Sequence, residues 1–269
     1  MNTSQRTGRH WLRPTLLASS LALAGCATVT NPDPRDPFEG FNRGVYQFND
    51  AVDTVILEPL ATLYTTITPS PVRSCIGNIF NNIGDVWSAI NSLAQGRGHD
   101  FINTLGRVMF NTTVGVGGCF DVATANGAYR IRNDFGTTLG VWGLGHGPYI
   151  VLPIFGPSSL RDGTGMAVRA VAKLDIATAV DNVRMRNIAW GLEGLDTRAS
   201  LLDATRTVQA TALDPYSFVR DAYFQNRNAL LRQKQRPFGA SEDDDLPNYD
   251  DELPDYDDPG EEALVDTTP

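Results

Sequence analysis

The chain has 269 residues, of which 42% are hydrophobic and 20% charged, so it is long enough for one large or two small cores and too apolar to be a disordered polymer. A formal charge of −9 and a sequence pI near 4.8 argue against a nucleic-acid binder. The charge is uneven: residues 237–269 carry Asp and Glu but no Lys or Arg, residues 1–25 carry three Arg and no acid, and the stretch between is nearly neutral.

Arg6, Arg9 and Arg13 precede a short apolar run from Leu16 to Leu23, the layout of a signal peptide over residues 1–25. The run falls well short of the roughly 20 apolar residues of a spanning helix. Leu23-Ala24-Gly25-Cys26 resembles a bacterial lipobox, which makes Cys26 the lipidated mature N-terminus. Acyl chains on one cysteine anchor a protein without any spanning segment. An ordinary secretory signal with a chance cysteine is the alternative. Ala27 and Thr28 follow Cys26 where an inner-membrane lipoprotein carries Asp, so the expected destination is the outer membrane, with the protein lipid-anchored on the periplasmic side. Residues 26–35 read as the lipidated tether.

Order is expected from Asp36. Asp36-Pro37-Phe38-Glu39 supplies a capping Asp, a first-turn Pro and an acid at the helix start. Phe38, Phe41, Val45, Phe48, Val52 and Val55 then recur at alternating steps of three and four, which predicts a helix over Asp36 to Leu57 stopping at Glu58-Pro59. That stripe suits an interfacial helix or a core helix; periodicity favours the core. Ser70-Pro71 opens a second helix through Ile76, Ile79, Phe80, Ile83, Trp87, Ile90 and Leu93, closed by Gln95-Gly96-Arg97-Gly98. A third runs from about Asp100 to Phe110, before Asn111-Thr112-Thr113 and the small-residue run Gly115-Val116-Gly117-Gly118. Phe135–Leu144, Arg161–Val180, Arg186–Ala212 and Asp214–Gln233 read as further helices. Tyr149–Leu152, between Pro148 and Pro153, is the one β-like run. The fold class is therefore mainly α, with a trace of sheet. Domain limits follow at 36–236 for the folded region and 237–269 for a disordered acidic tail.

Cys75 and Cys119 are left as a pair that an oxidising periplasm can join; two small buried thiols are the alternative. Groups for catalysis are scarce. His99 and His146 remain after signal removal, no His pair has ligand spacing, and no metal or other cofactor is expected. Gly156-Pro157-Ser158-Ser159-Leu160 lacks the second Gly of a nucleophile elbow, and Pro157 spoils its turn. Gly115 to Gly118 lacks the strand and Lys of a phosphate loop, so close packing is the reading favoured there. Arg161-Asp162 reads as an ion pair at a helix start. The segment from Trp142 to Pro157 mixes Gly and Pro with large apolar residues. It is either a buried turn or backbone packed within protein at membrane depth.

Several of these stretches, in order, resemble one family. They are Asp36 to Arg43 with Tyr46 and Phe48-Asn49, Gly77-Asn78, Phe110-Asn111-Thr112, Gly115 with Gly117-Gly118, and Asp121-Val122-Ala123. Further on come Phe135 to Gly140, Gly147-Pro148-Tyr149 to Leu152-Pro153 with Gly156-Pro157, Arg161-Asp162, Gly194 with Asp196-Thr197-Arg198, Asp214-Pro215-Tyr216, and Arg220 to Phe224. Together they look like the MlaA (VacJ) lipoproteins from Asp36 to about Arg227. The resemblance implies a ring-like bundle of amphipathic helices lying in the inner leaflet of the outer membrane around a central channel. It implies removal of mislocalised phospholipid from the outer leaflet, hand-over to a soluble periplasmic carrier, association with a trimeric porin, and no catalysis. A lipolytic enzyme and a structural or adhesin lipoprotein are the other classes. By analogy the channel-lining or membrane-embedded candidates are Phe41, Asn42, Arg43, Phe48, Asn49, Gly117, Gly118, Tyr149, Leu152, Pro153, Phe155, Arg161 and Asp162. Asn42, Arg43 and Asn49 are expected chiefly to hold the first helix in the fold.

Overall fold

The computed structural model describes residues 33–172 and 182–236. Cys26, most of the tether and the acidic tail lie outside these residues. The chain divides between Lys234 and Gln235 into two units, and only Gln235 and Arg236 of the second are described.

The first unit is mainly helical. Helix α1, Glu39–Val52, does not stop at Glu58-Pro59 as the sequence predicts. It runs through a π-helical segment, Asp53–Leu57, straight into α2, Glu58–Ile67. Pro59 has no N–H and its ring crowds the preceding turn. A wider π turn at that point lets the chain remain helical, with Pro59 in the first turn of α2. Asp36 is not the cap either: α1 starts at Glu39 behind Phe38, with no side-chain cap bond. Helices α3, Ser70–Ala94, and α4, Gly98–Thr113, form the most extensive helix pair. Cys75 on α3 is bonded to Cys119 in the turn after α4.

Short helices α5, Val122–Ala125, and α6, Phe135–Val141, follow, each capped by an Asp side chain, Asp121 and Asp134. Strands β1, Tyr149–Leu152, and β2, Gly156–Ser159, form an antiparallel hairpin with Tyr149 opposite Ser159 and Leu152 opposite Gly156. Its tip needs left-handed backbone at Ile154 and Gly156 (φ 68° and 79°). The second strand is tolerated despite Pro157 because a two-stranded sheet has only edges. Helix α7, Leu160–Ala172, leads to residues outside the described set, so the expected stretch from Lys173 to Val180 is not covered. The single helix expected over Arg186–Ala212 is two, α8, Val183–Ser200, and α9, Leu202–Thr211, which meet at Leu201. Helix α10, Pro215–Gln235, ends the fold. Among the described residues no helix is long and apolar enough to cross a membrane.

The apolar core is small: Val45 of α1, Tyr149 and Val151 of β1, and Tyr216 and Phe224 of α10, with Tyr46 and Tyr223 against it. Its rings meet edge-on or tilted, as for Tyr46–Tyr216 at 5.7 Å and 83°. Most other buried side chains are polar. The buried positions of α4 are Asp100, Thr104, Arg107 and Asn111, a helical stripe with no apolar member. Those of α3 include Asn82, Asp85, Ser88, Asn91 and Ser92. Their apolar faces point outward: Val86, Ile90 and Leu93 on α3, and Ile102, Leu105, Met109 and Phe110 on α4, are exposed. In α1 the same inversion corrects the core reading for the phenylalanines of its stripe, while Val45 does enter the core. Phe38, Phe41 and Phe48 are 52%, 44% and 49% exposed, while Glu39 and Asn42 are buried. Spacing identified the stripe, but which side of it faces inward depends on what solvates the outside.

Replacing both Cys75 and Cys119 by Ala is expected to lower the unfolding free energy by about 3 to 4 kcal/mol, from the loop entropy the bridge removes. Guanidinium unfolding in detergent, with and without reductant, measures it; identical midpoints would show the bridge to be energetically idle.

Candidate functional site

Three polar clusters make up the interior. The first joins the start of the fold to α10. Asn42 is fully buried; its amide donates to Asp36 Oδ1 (2.7 Å) and to the Tyr149 carbonyl (3.0 Å), and its oxygen accepts from Val151 N–H (2.9 Å). Two helical turns on, Asn49 repeats the motif, donating to the Leu152 carbonyl (3.0 Å) and accepting from Ile154 N–H (2.8 Å). Both asparagines thus substitute for a missing third strand beside β1. Tyr216 donates to Asp36, and Arg220 lies 3.5 Å from the same carboxylate. Arg43 bridges Glu39 (2.8 Å) and Asp214 (2.6 Å) and sits over the Tyr216 ring at 4.4 Å.

The second cluster pins α3 to α4 and α5. Arg107, 2% exposed, donates to Thr124 Oγ1 (2.9 Å), to the Ala128 carbonyl, and to both oxygens of Asp121 (3.2 Å each). Its Nε lies 3.6 Å from Asp85, which also pairs with Arg130 at 2.6 Å. Burial raises the Asp85 carboxyl above the ordinary carboxylate value, against the pull of the two arginines. At Asp121 burial pushes upward too, but hydrogen bonds from Thr124, Asn111 and Arg107 outweigh it and bring the carboxyl down to about 2. A folded-state value below the unfolded one stabilises at pH above about 4, and that contribution is lost as pH falls through about 2. Acid unfolding in detergent should therefore show a Asp121→Asn variant with a shallower loss of stability between pH 4 and pH 2 than wild type; superimposable slopes would remove Asp121 from the account.

In the third cluster Arg227 of α10 binds Asp134 through two nitrogens (2.6 and 2.9 Å) and lies 2.7 Å from Asp162. Tyr223 donates to Asp162, and Arg161, 2% exposed, pairs with it at 3.1 Å. Burial alone would raise Asp134, but the Arg227 hydrogen bonds and charge hold it below its ordinary value. These residues border a cavity of about 280 Å³ between α3, α6, β2, α7 and α10, also lined by Trp87, Met166 and Arg169. Helices α6 and α7 approach here through glycine: a Cβ on Gly165 would lie 2.6 Å from the Gly136 nitrogen.

The candidates singled out from sequence scatter over these features. Asn42, Arg43 and Asn49 bind the fold together, and Tyr149 sits in the core. Leu152 is half-buried, while Pro153 and Phe155 stand exposed at the hairpin tip. The Trp142–Pro157 segment is thus neither wholly buried nor wholly outside: Tyr149 and Val151 are interior, Trp142, Leu144, Ile154 and Phe155 exterior. Gly117 and Gly118 adopt left-handed backbone (φ 69° and 90°), and a Cβ on Gly118 would press Asn82 at 3.0 Å. The run is a turn, and its Gly118 packs close against α3, as small residues there allow. Phe41 and Phe48 face outward. Sequence reasoning missed Asp85, Arg107, Asp134 and Arg227; the polar recurrence Asp100, Thr104, Arg107, Asn111 was the signal available.

Chemically the clusters are dense networks of ion pairs and hydrogen bonds. His146 Nε2 contacts Asn228 Oδ1 at 2.7 Å, and Ser158 and Ser159 bond backbone groups, so no His activates either serine among the described residues. No group of three metal-ligating side chains occurs among the described residues.

Comparison with known proteins gives a consistent answer. Residues 34–230 match the family model for the MlaA lipoprotein. The "Intermembrane phospholipid transport system lipoprotein MlaA" of Escherichia coli (strain K12) is 35% identical over 243 residues, 86% of this chain and 95% of that one. Its namesake in Haemophilus influenzae is 35% identical over 219 residues, 79% and 87% of the two chains. A solved chain from "Structural basis for maintenance of bacterial outer membrane lipid asymmetry" superposes with a TM-score of 0.63 at 33% identity, covering 73% of this chain and 98% of that one. With an interior of buried polar clusters, an apolar exterior and this likeness over nearly its whole described length, the chain belongs to the MlaA lipoprotein family.

Proposed function

We propose that this protein is an outer-membrane lipoprotein that passes phospholipid between membranes, taking mislocalised lipid from the outer leaflet and giving it to a soluble periplasmic carrier. The observation that carries this reading is the inversion: polar stripes inside, Phe and Leu faces outside. Exposed apolar area on this scale is unfavourable in water and natural in a bilayer. Its helices would lie in the inner leaflet as a ring about a channel, anchored through Cys26 and associated with a trimeric porin. Transfer breaks no covalent bond, so the reading asks for no nucleophile or base. Relatives in Shigella flexneri and Escherichia coli are named as lipoproteins of an intermembrane phospholipid transport system, which supports it.

Cells lacking the gene test it. Surface labelling of phosphatidylethanolamine should show raised outer-leaflet phospholipid, reversed by wild type and not by Cys26→Ala. Phe41→Asp together with Phe48→Asp should fail to complement while the purified variant stays helical, because charge on that face opposes the lipid. Unchanged surface lipid in the deletion strain would refute the transport reading.

A further inference from the structure

The cavity beside α7 holds a cation that the fold does not use. Asp162, Gly165, Met166 and Arg169 recur at steps of three, one and three along α7, one stripe, and all four border the cavity. Opposite them stand Asp134, Trp87 and Arg227. Arg227 is consumed by Asp134 and Asp162. Arg169 differs in forming no ion pair among the described residues, and its buried Nε has no hydrogen-bond partner. A buried guanidinium N–H without an acceptor is costly and calls for an anionic one. The four charges around the cavity balance, so an arriving anion meets Arg169 while the carboxylates remain held by Arg227. Asp134, 46% exposed, accepts three bonds at Oδ1 and one at Oδ2, which leaves Oδ2 a lone pair for a cationic group on the same ligand.

We propose that this cavity seats the phosphate of a zwitterionic phosphodiester, with Arg169 donating to the phosphate oxygens and Asp134 accepting from the ammonium. Planar guanidinium donors match phosphate oxygens in a forked, charge-assisted contact. A volume of about 280 Å³ holds a headgroup and not two acyl chains, and Met166, exposed at 41%, gives the seat an apolar lip on the same helix face. The proposal rests on the transport reading and adds to it a headgroup contact and its chemistry. A free phosphate shares the anion chemistry, so the two sources must be separated.

The test uses the full-length lipoprotein in detergent micelles and follows Trp fluorescence, since Trp87 lines the cavity. The probes are dihexanoyl phosphatidylethanolamine, dihexanoyl phosphatidylglycerol, glycerophosphoethanolamine and inorganic phosphate. Wild type should bind the ethanolamine lipid more tightly than the glycerol lipid, and glycerophosphoethanolamine should compete. Arg169→Gln should weaken the ethanolamine lipid at least tenfold, with Arg169→Lys in between. Met166→Glu, which touches none of the ion pairs, should weaken it too by placing an acid beside Arg169. Saturation by millimolar inorganic phosphate with no response to either lipid would overturn the headgroup assignment. Equal lipid affinity in wild type and Arg169→Gln would also overturn it, while complementation of surface lipid by that variant would leave the transport reading standing. Absence of any binding, with surface lipid unchanged in the deletion strain, would bring down both.

Discussion

Asn42→Leu should cost about 3 to 5 kcal/mol of stability. Leucine fits the volume, so no cavity term enters, yet three buried groups lose their partner at once: the Val151 N–H, the Tyr149 carbonyl and one oxygen of Asp36. Each unpaired buried group carries a penalty of about 1 to 3 kcal/mol. Against a total of about 5 to 15 kcal/mol for a domain, this leaves a marginal protein. Chemical unfolding of the purified variant in detergent reads the change, and Asn49→Leu serves as its control. Asn49 makes the same pair of bonds but is half-buried near the hairpin tip, so water replaces what it loses and the cost should stay below about 1.5 kcal/mol. Equal effects at the two positions would show that burial does not set the penalty.

Removing Arg107 should be comparably severe, by a different route. Arg107→Met retains the aliphatic stem but leaves Asp85 with Arg130 alone and takes a guanidinium from Asp121. Breaking a buried pair from one side costs about 3 to 5 kcal/mol because the remaining charge is uncompensated. Arg107→Lys should not rescue it, since one ammonium cannot reach Thr124, the Ala128 carbonyl and two carboxylates together. Adding Asp85→Leu to Arg107→Met should recover part of the loss by removing the stranded acid. If the double variant is no better than the sum of the singles, the two residues are not coupled.

How far the sequence could be read depends on the scale of each feature. Helix spacing is local, and the stripes of α1 and α3 are legible residue by residue. The direction of a stripe is not local: Phe41 and Asn42 alternate faces in any helix, and only the surrounding medium decides which goes inside. The breaks misled for chemical reasons. Glu58-Pro59 looks like a stop, yet a π turn absorbs the proline; Gly156 to Ser159 offers no β-like run, yet it pairs with β1 along a free edge. The ion-pair clusters were out of reach because their partners are far apart in the chain, as Asp134 and Arg227 are by 93 residues. What could be read was composition by face: Asp100, Thr104, Arg107 and Asn111 form a purely polar stripe, an unusual choice for an ordinary core.

The turned-out apolar faces carry a thermodynamic consequence. Folding in plain water would hide little oil, because the side chains that could supply the driving force remain outside. The native state and the amphiphile around it therefore form one equilibrium, in which every lipid or detergent molecule bound to the folded surface adds stability by mass action. The melting temperature of this protein should climb with micelle concentration and tail length. A mean hydropathy of −0.20, read alone, would place the chain among freely dissolved proteins; its tolerance for water is a matter of which face that average hides.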